Sequence, residues 1–445
     1  MAIDYTHYKP MVLDKPSLEV LKGGEYRRFI HHAAIVPGIR LYLHRRRRRP
    51  DWPYVDTKFN PNTGRDLPDA SYDVVFTWFL GRGSEALQAH LARLDQFEEL
   101  SDAERREAKD VFALLVENMT AAIVKVADRN HGRCPFRVNR DLLAIDENGR
   151  RVEADPRTSS AGDTFCAKGL IATGREVYVR QGMSMLQRTV EHIRQNQYGV
   201  DQFKEQPKDI GQGARMLTLG ATPLLFGGTR DAALREAMSR ITEEFLTYVL
   251  DKHYDAESGI FSEYVDANTG ARKAYLDPGH ANEFVGLGLG AAACVRAHTP
   301  TLSPAWQRLL ERLYTHMPRL LIESTELGWN PRHPGLFKAV DTKTRQPIND
   351  DMPWWNLPET MRAAAHAFAV SRDLATRDRC LNLIRICHNA YFKNYPNPSN
   401  MLFPFQTISG ATGKVVDKVP AVPEGDPLYH TNLALLEMLD ILETL

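Results

Sequence analysis

The sequence predicts an all-α fold, an (α/α)6 barrel in which helical hairpins form a closed ring with short β-hairpins at one end. Apolar residues recur every three or four positions along most of the 445 residues, the pattern of helices that bury one face. Short extended segments with turn residues separate some of these helices and recur along the chain, as in repeat architectures. No low-complexity linker divides the chain, so we expect one barrel domain at 55–445 and an N-terminal extension at 1–54 that packs on it.

The apolar stripes predict about eleven or twelve helices. In the helix predicted at 84–97, for example, Leu87, Leu91 and Leu94 share one face. Pro318 is expected to kink its helix or end it early, because proline lacks an amide donor. The other clear stripes lie at 103–127, 165–194, 230–250, 284–297, 304–321, 361–370, 378–392 and 428–445.

Five short hairpins are predicted between the helices. Each combines two extended segments with a turn rich in Asn, Asp, Thr or Gly, residues that tolerate the positive φ of tight turns. Loops at one end of a rigid scaffold often carry the functional residues. The predicted hairpins lie at 54–73, 137–152, 260–276, 336–348 and 405–419.

Composition excludes several classes of protein. The 56 basic and 56 acidic residues give a formal charge of zero, so no global field attracts nucleic acid or an anionic membrane. The arginine run Arg45–Arg49 is expected to be a solvated surface. The five cysteines lack the two-residue spacing of zinc or redox motifs and fit packing residues of a reducing compartment. No segment has the length and apolarity of a membrane span, so we expect a cytoplasmic protein.

The first candidate site is the start of a helix with the sequence Asp-Pro-Gly-His-Ala-Asn-Glu. His280 and Glu283 are three residues apart and therefore share a helix face. A histidine with a carboxylate one turn away can act as a tuned acid or base. A capping histidine with a solvent-facing glutamate is the structural alternative.

A second candidate precedes another predicted helix. The adjacent residues Trp354 and Trp355 cannot both enter a core easily, and one of them could form a platform for a sugar ring. Glu359 follows near the helix start. An aromatic packing pair, with a carboxylate favoured by the helix dipole, is the alternative.

Two further segments carry single polar residues in apolar surroundings. His430 follows a turn and begins the last predicted helix, although a lone histidine is more often structural. Arg82 lies between two glycines, close after Trp78, and its guanidinium would need a carboxylate or a ligand as acceptor. A structural salt bridge is the alternative for Arg82.

Metal and dinucleotide sites are not predicted. The fifteen histidines include no His-x-x-x-His pair, which disfavours a metal site of that type. The glycines at 286, 288 and 290 do not follow a buried strand, so they are expected to permit close helix packing instead of binding a dinucleotide.

Taken together, these segments resemble the N-acylglucosamine 2-epimerase family, whose relatives include cellobiose 2-epimerases and mannose isomerases. The Pro-Gly-His-x-x-Glu motif of that family appears at 278–283, and Trp-x-x-Gly-Arg appears at 78–82, with Leu80 where glutamine is common. Trp-Trp-x-x-x-Glu appears at 354–359, and the late Tyr-His pair at 429–430. The resemblance covers about residue 55 to the C-terminus and implies an (α/α)6 barrel.

The resemblance also implies a mechanism. His280 and His430 would form a two-base pair that removes and returns the proton at C2 of an open-chain sugar, through an enediolate. Arg82 would stabilise the oxyanion, Glu283 would orient His280, and Glu359 would hold hydroxyls. This chemistry requires no metal or cofactor. The remaining residues assigned to substrate binding are Trp78, Met216 and Trp355.

Departures from the family pattern bear on the substrate. Relatives acting on unmodified sugars often carry a third histidine in an Asn-x-His-Met-His segment, whereas the matching stretch 213–223 contains none. It is closer to the Met-Ala-Val-Pro-Met type of N-acyl-hexosamine epimerases, which favours a substituted sugar. Residues 1–54 match nothing in the family and are candidates for reshaping the cleft or for a homodimer contact.

Three alternative functions remain open at this point. An aldose–ketose isomerase could use the same fold and histidines. A glycoside hydrolase on the same ring would need two carboxylates, for which Asp350, Asp351 and Glu359 are candidates. A sugar-binding protein without activity could keep the fold. In every case the expected partner is a small sugar, with no nucleic acid and no membrane.

Overall fold

The computed structural model describes residues 5–15, 17–201, 209–419 and 422–445. Helices dominate this part of the chain, as predicted. In chain order they are α1 (Leu18–Lys22), α2 (Gly24–Ile30), α3 (Val36–Arg48), α4 (Thr77–Leu91), α5 (Asp102–Arg129), α6 (Ala161–Ala172), α7 (Glu176–Arg194), α8 (Gly213–Leu219), α9 (Ala221–Gly228), α10 (Ala232–Lys252), α11 (Pro278–His298), α12 (Pro304–Gly328), α13 (Asn356–Val370), α14 (Leu374–Asn394) and α15 (Ala434–Thr444).

The inner layer of the barrel is a closed ring of helices. Helix α4 packs on α6, α6 on α9, the α8–α9 pair on α11, α11 on α13, and α13 on α15. A π-helical turn at Tyr429–Leu433 leads into α15 and packs on α4, which closes the ring. Helices α5, α7, α10, α12 and α14 pack outside it and bury only one face. This arrangement confirms the predicted (α/α)6 barrel.

The sixth outer position is filled from the N-terminal segment. Helices α2 and α3 are joined by a π-helical turn at His31–Ile35 and run between α14 and α5. Phe29 packs edge-on against Phe392 of α14, with ring centroids 4.9 Å apart. On the other side, Nε of Arg40 donates to Glu104 of α5 at 2.7 Å. We therefore infer that residues before 55 complete the barrel, which differs from the expected boundary at residue 54.

The arginine run lies at the C-terminal end of α3 and forms ion pairs with neighbouring acidic residues. Arg45 is 4% exposed and pairs with Asp56 at 2.8 Å and with Asp66 at 2.9 Å. Arg47 and Arg49 form ion pairs at the surface. The expectation of a solvated surface therefore fails for Arg45, because acidic residues of the following loop and of α5 surround this end of the helix.

Short strands pair at one end of the barrel. The five predicted hairpins are all present, and left-handed residues turn each of them, for example Gly64 at φ 69° and Gly270 at φ 70°. The strands are β1 (Val74–Phe76), β2 (Arg137–Asn139), β3 (Ser159–Ser160), β4 (Tyr198–Gly199), β5 (Asp209–Gly211), β6 (Tyr264–Asp266), β7 (Ala339–Val340), β8 (Pro347–Asn349), β9 (Asp351–Pro353) and β10 (Thr407–Ser409). They form two-stranded sheets that pair β1 with β2, β3 with β4, β5 with β6, β7 with β8 and β9 with β10.

Helix α4 begins earlier than its apolar stripe predicts. It starts at Thr77 instead of residue 84, so Arg82 lies inside the helix. The glycines of this first part allow close helix packing, which an apolar stripe does not reveal. A Cβ atom at Gly81 would lie 2.1 Å from the carbonyl oxygen of Phe165 in α6.

Two other helix boundaries also differ from expectation. The helix predicted at 165–194 is broken into α6 and α7, with Gly174 in the left-handed region at φ 64°. Pro318 does not end its helix, because α12 continues to Gly328. Within the described ranges, no helix combines the length and apolarity needed to cross a membrane.

Candidate active site

The candidate site is a cavity of about 380 Å³ between the inner helices and the hairpins. This volume is typical of small-molecule sites, which run from about 300 to 1,000 Å³. Seven of the eight residues predicted from the sequence line its wall. They are Trp78, Arg82, Met216, His280, Glu283, Trp355 and His430.

The two histidines pack against the same tryptophan. The ring centroid of Trp355 is 5.4 Å from that of His280 and 5.3 Å from that of His430, with interplanar angles of 33° and 32°. Helix α11 positions His280 in its first turn, and the π-helical turn before α15 positions His430. The barrel therefore brings both imidazoles into the lining of one cavity.

His280 is held by two carboxylates. Its Nδ1 lies 3.1 Å from Oε1 of Glu263 and 3.4 Å from Oδ2 of Asp277. Asp277 also caps α11, accepting the backbone N–H of His280 at 3.2 Å. Burial alone would lower the pKa of His280, but Asp277 and Glu263 outweigh it and raise this pKa to about 9. The imidazole is therefore a cation at neutral pH and can donate a proton.

Sequence reasoning missed the groups that surround His280. Glu263 is 4% exposed, and its Oε2 accepts from Nε2 of Gln212 at 3.2 Å. Nζ of Lys338 donates to Oδ2 of Asp277. Asp277 carries a local signal, since an aspartate before Pro-Gly is a typical N-cap. Glu263 carries no such signal. The hairpin before α11 places it beside His280, with its backbone N–H donating to the backbone oxygen of Tyr275 at 2.8 Å.

The pKa of His430 is shifted in the opposite direction from that of His280. Its Nδ1 lies 3.1 Å from Oε1 of Glu359, which is 1% exposed and is not part of the cavity wall. Burial, together with the positive charge of Arg82, lowers the pKa of His430 to about 3. With a proton on Nδ1 donated to Glu359, the neutral imidazole keeps a lone pair on Nε2 for a proton.

The carboxylate of Glu359 contacts both His430 and Arg362. Burial raises its pKa to about 7, while the guanidinium of Arg362 opposes that rise and donates to Oε2 of Glu359. The carboxylate thus orients an imidazole. Glu359 does not line the cavity, and its direct contact with sugar hydroxyls, which the family resemblance implies, stays a prediction.

Arg82 has a guanidinium without an anionic partner. The side chain is 8% exposed, and its Cζ lies 4.3 Å from the ring of Trp78, 4.2 Å from Phe165 and 4.9 Å from Tyr429. Within the described residues it forms no hydrogen bond or ion pair, and its Nε is buried without an acceptor. A buried charge left unpaired is costly, so this arrangement favours an anion bound in the cavity.

Glu283 lines the cavity but does not contact His280 through a hydrogen bond. It is 2% exposed, and its Oε1 has no partner among the described residues. Ligand atoms of Glu283, Glu359 and His430 lie within 4.8 Å of one another, a spacing that could hold a metal ion. Arg362 pairs with Glu359, and the positive charge of Arg82 also acts on His430, so cations of the protein already lie beside these groups.

The wall near Arg82 is apolar. Phe79 and Leu217 are only partly buried and pack against a cluster that includes Trp78, Phe165 and Val422. All five side chains line the cavity. This surface can accept a non-polar group of a ligand, and among these five side chains only the indole N–H of Trp78, which has no partner within the described residues, could bond a hydroxyl group.

The fold is similar to that of several solved structures. A D-mannose isomerase matches with a TM-score of 0.63 and 13% identity, over 97% of this chain and 100% of that chain. A cellobiose 2-epimerase from Bacillus thermoamylovorans B4167 matches with a TM-score of 0.60 and 13% identity, over 90% and 99%. An unsaturated glucuronyl hydrolase from Streptococcus agalactiae matches with a TM-score of 0.50 and 10% identity, over 97% and 98%. Identities this low establish a common fold and no more.

The comparison of sequences is more specific than the comparison of folds. A search of curated proteins finds no match. The family model described as N-acylglucosamine 2-epimerase (GlcNAc 2-epimerase) matches residues 163–434, more than half of the chain. The matched range contains His280, Trp355, Glu359 and His430. The protein therefore belongs to the N-acylglucosamine 2-epimerase family of carbohydrate isomerases.

Proposed function

We propose that this protein is a cofactor-independent epimerase that inverts C2 of a reducing sugar. The observation that carries the proposal is the pair His280 and His430, which pack on one indole in one cavity with opposite shifts of their pKa. Inversion at a carbon needs a base on one face and an acid on the other. A cationic and a neutral imidazole supply these two roles at the same pH.

The reaction begins with the open-chain aldehyde. Nε2 of neutral His430 removes the C2 proton, and the C–H electron pair forms the C1–C2 double bond while the carbonyl electrons move to the oxygen. The resulting enediolate anion is stabilised by Arg82, whose guanidinium forms no ion pair within the described residues. His280 then donates its proton to the opposite face of C2, and the carbonyl re-forms. The proton left on His430 then passes to solvent and His280 regains one, which restores the starting state. The other epimer reacts in the form with the two protons exchanged, with neutral His280 as the base and protonated His430 as the acid.

The carboxylates support these roles without reacting. Glu359 fixes the tautomer and orientation of His430, while Glu263 and Asp277 keep His280 protonated. Glu283 lines the cavity with an unbonded oxygen and is placed to accept a hydrogen bond from a sugar hydroxyl.

The substrate we favour is an N-acyl-hexosamine. Met216 and Leu217 occupy the stretch where relatives acting on unmodified sugars often carry histidine, and Leu217 belongs to the apolar wall beside Arg82. An acyl group could bury its methyl or alkyl part against this wall. A glycoside hydrolase is less well supported, since Asp350 and Asp351 do not line the cavity and Asp351 pairs with Lys418 at 2.9 Å.

Proton NMR in D2O tests the proposal. The protein is incubated separately with N-acetylglucosamine, N-acetylmannosamine, glucose, mannose and cellobiose. Deuterium at C2 together with the 2-epimer supports the proposal, and the sugar that reacts fastest names the substrate class. A ketose product would assign an aldose–ketose isomerase instead, and glycosidic cleavage or binding without exchange would overturn the epimerase assignment.

A further inference from the structure

We infer that α3, the N-terminal helix in the outer layer of the barrel, supports the active site, because its residue Tyr42 and the segment 57–58 hold the turn that sets the position of His430. This inference rests on the proposed function, in which His430 is one of the two bases. Tyr42 does not reach the cavity and would act as a positioning residue.

The turn before His430 is built around Asp426. Oδ2 of Asp426 accepts the backbone N–H of Tyr429 at 2.6 Å and that of His430 at 3.3 Å. These two bonds cap the π-helical turn and fix the backbone from which the imidazole projects. Any movement of Asp426 therefore moves His430.

Leu428 gives this turn an unusual backbone. Its φ of 65° and ψ of 24° lie in the left-handed region, which is unfavourable for a residue with a branched side chain. Such a conformation persists only where the surroundings fix it. Leu428 packs on Gly38 of α3, where an added Cβ atom would lie 2.6 Å from Cδ2 of the leucine.

Tyr42 provides the central contact. Its hydroxyl donates to the backbone oxygen of Asp426 at 2.6 Å across 384 positions of sequence, and both residues are buried. The same oxygen accepts the N–H of Leu428 at 2.9 Å. The hydroxyl of Tyr42 thus stabilises the carbonyl around which the left-handed turn closes.

The segment after α3 makes a second contact with the same turn. Glu424 accepts from Oγ1 of Thr57 at 2.6 Å and from Nζ of Lys58 at 2.5 Å. The N–H of Gly425 donates to the backbone oxygen of Thr57 at 2.9 Å. Tyr42, Thr57 and Lys58 all precede residue 163, where the match to the family model begins.

The test compares Tyr42→Phe with Tyr26→Phe in the full-length protein. Each variant removes one buried hydroxyl from the N-terminal helices α2 and α3. The hydroxyl of Tyr26 lies 3.3 Å from Nδ1 of His388, away from the cavity. Thermal melting establishes that both variants fold. Imidazole NMR of histidine-labelled protein, with His430 assigned by its loss in His430→Gln, then reports the environment of His430.

We expect the His430 signals to shift in Tyr42→Phe and to stay in place in Tyr26→Phe. Unchanged signals in both variants, or equal shifts in both, would overturn the inference. This readout needs no turnover, so it stands even if no sugar in the D2O panel reacts and the proposed function fails.

Once a reactive sugar has been identified, the kinetics of the same variants test the positioning role of Tyr42. We expect kcat for epimerisation to fall about tenfold in Tyr42→Phe with KM little changed, the size of one lost hydrogen bond. Deuterium exchange at C2 of the epimer that His280 deprotonates should continue without inversion. Asp426→Asn, which weakens the cap on Tyr429 and His430, should show the same pattern. Equal losses of exchange from both epimers would contradict a role specific to His430.

Discussion

Nδ1 of His430 lies 3.1 Å from Oε1 of Glu359, although 71 positions separate the two residues in the sequence. The contact leaves Nε2 as the reactive nitrogen of a buried and neutral imidazole. His280, which packs on the indole of Trp355 as His430 does, is held by Glu263 and Asp277 and carries a proton. The difference between the two environments gives one cavity both an acid and a base, and the following predictions test that arrangement.

Replacing His430 with glutamine should abolish epimerisation. Loss of a positioned acid–base group typically costs about 10²- to 10⁴-fold in rate. Deuterium should still enter C2 of the epimer that His280 deprotonates, since the other base remains. Rates of epimerisation and of exchange, measured by NMR, check both expectations.

His298→Gln is the matched control, because His298 ends the helix that His280 begins and lies at the surface. It should leave both rates unchanged. Full epimerisation by His430→Gln would exclude the two-base mechanism.

Replacing Arg82 with methionine should lower kcat more than it raises KM. The guanidinium is expected to act on the charge that develops in the enediolate, and removal of one such group costs about 10²- to 10³-fold. Arg82→Lys should recover only part of the rate, since an ammonium group does not match the flat contacts with Trp78 and Phe165. Steady-state kinetics of the three proteins provide the measurement, and a pure KM effect would contradict this role.

Activity should fall as the pH rises through about 9, the raised pKa of His280. The same shift affects stability. Because the pKa of the folded state lies above the ordinary value of 6.5, the stabilisation by Asp277 and Glu263 is complete below pH 6.5 and is lost as the pH rises through 9. The difference in melting temperature between the wild type and His280→Gln should therefore shrink across this window. A constant difference would indicate that His280 is not a cation in the folded protein.

Gly81→Ala should destabilise the barrel strongly. The added Cβ atom would lie 2.1 Å from the carbonyl oxygen of Phe165, a backbone atom that cannot rotate away. We expect a loss of more than about 3 kcal/mol, the upper end for overpacking in a core. Gly227→Ala, in α9, is the control, because nothing lies within 4 Å of its added Cβ atom. It should be neutral or stabilising by up to about 1 kcal/mol, and chemical denaturation of both variants would check this contrast.

The ring of helices could be predicted because its signals are local. The stripe of Leu87 and Leu91, and turn glycines such as Gly270, show their helix or hairpin within one or two turns of chain. The N-terminal helices were less evident, since charged residues such as Arg40 interrupt their apolar face and find partners such as Glu104 in distant parts of the chain. Their place in the ring depends on packing between distant parts of the chain.

The sequence by itself determined the fold class, the hairpins and seven residues of the cavity wall, because periodicity, turn chemistry and motif spacing are properties of neighbouring residues. Only the tertiary structure decided that Glu263 contacts His280, that Glu359 contacts His430, and that Arg82 forms no ion pair within the described residues. The protonation states of the two histidines were likewise decided only by the tertiary structure. A pKa depends on burial and on charges within a few ångströms, and the charges beside His430, such as Arg82 and Glu283, come from segments far apart in the chain.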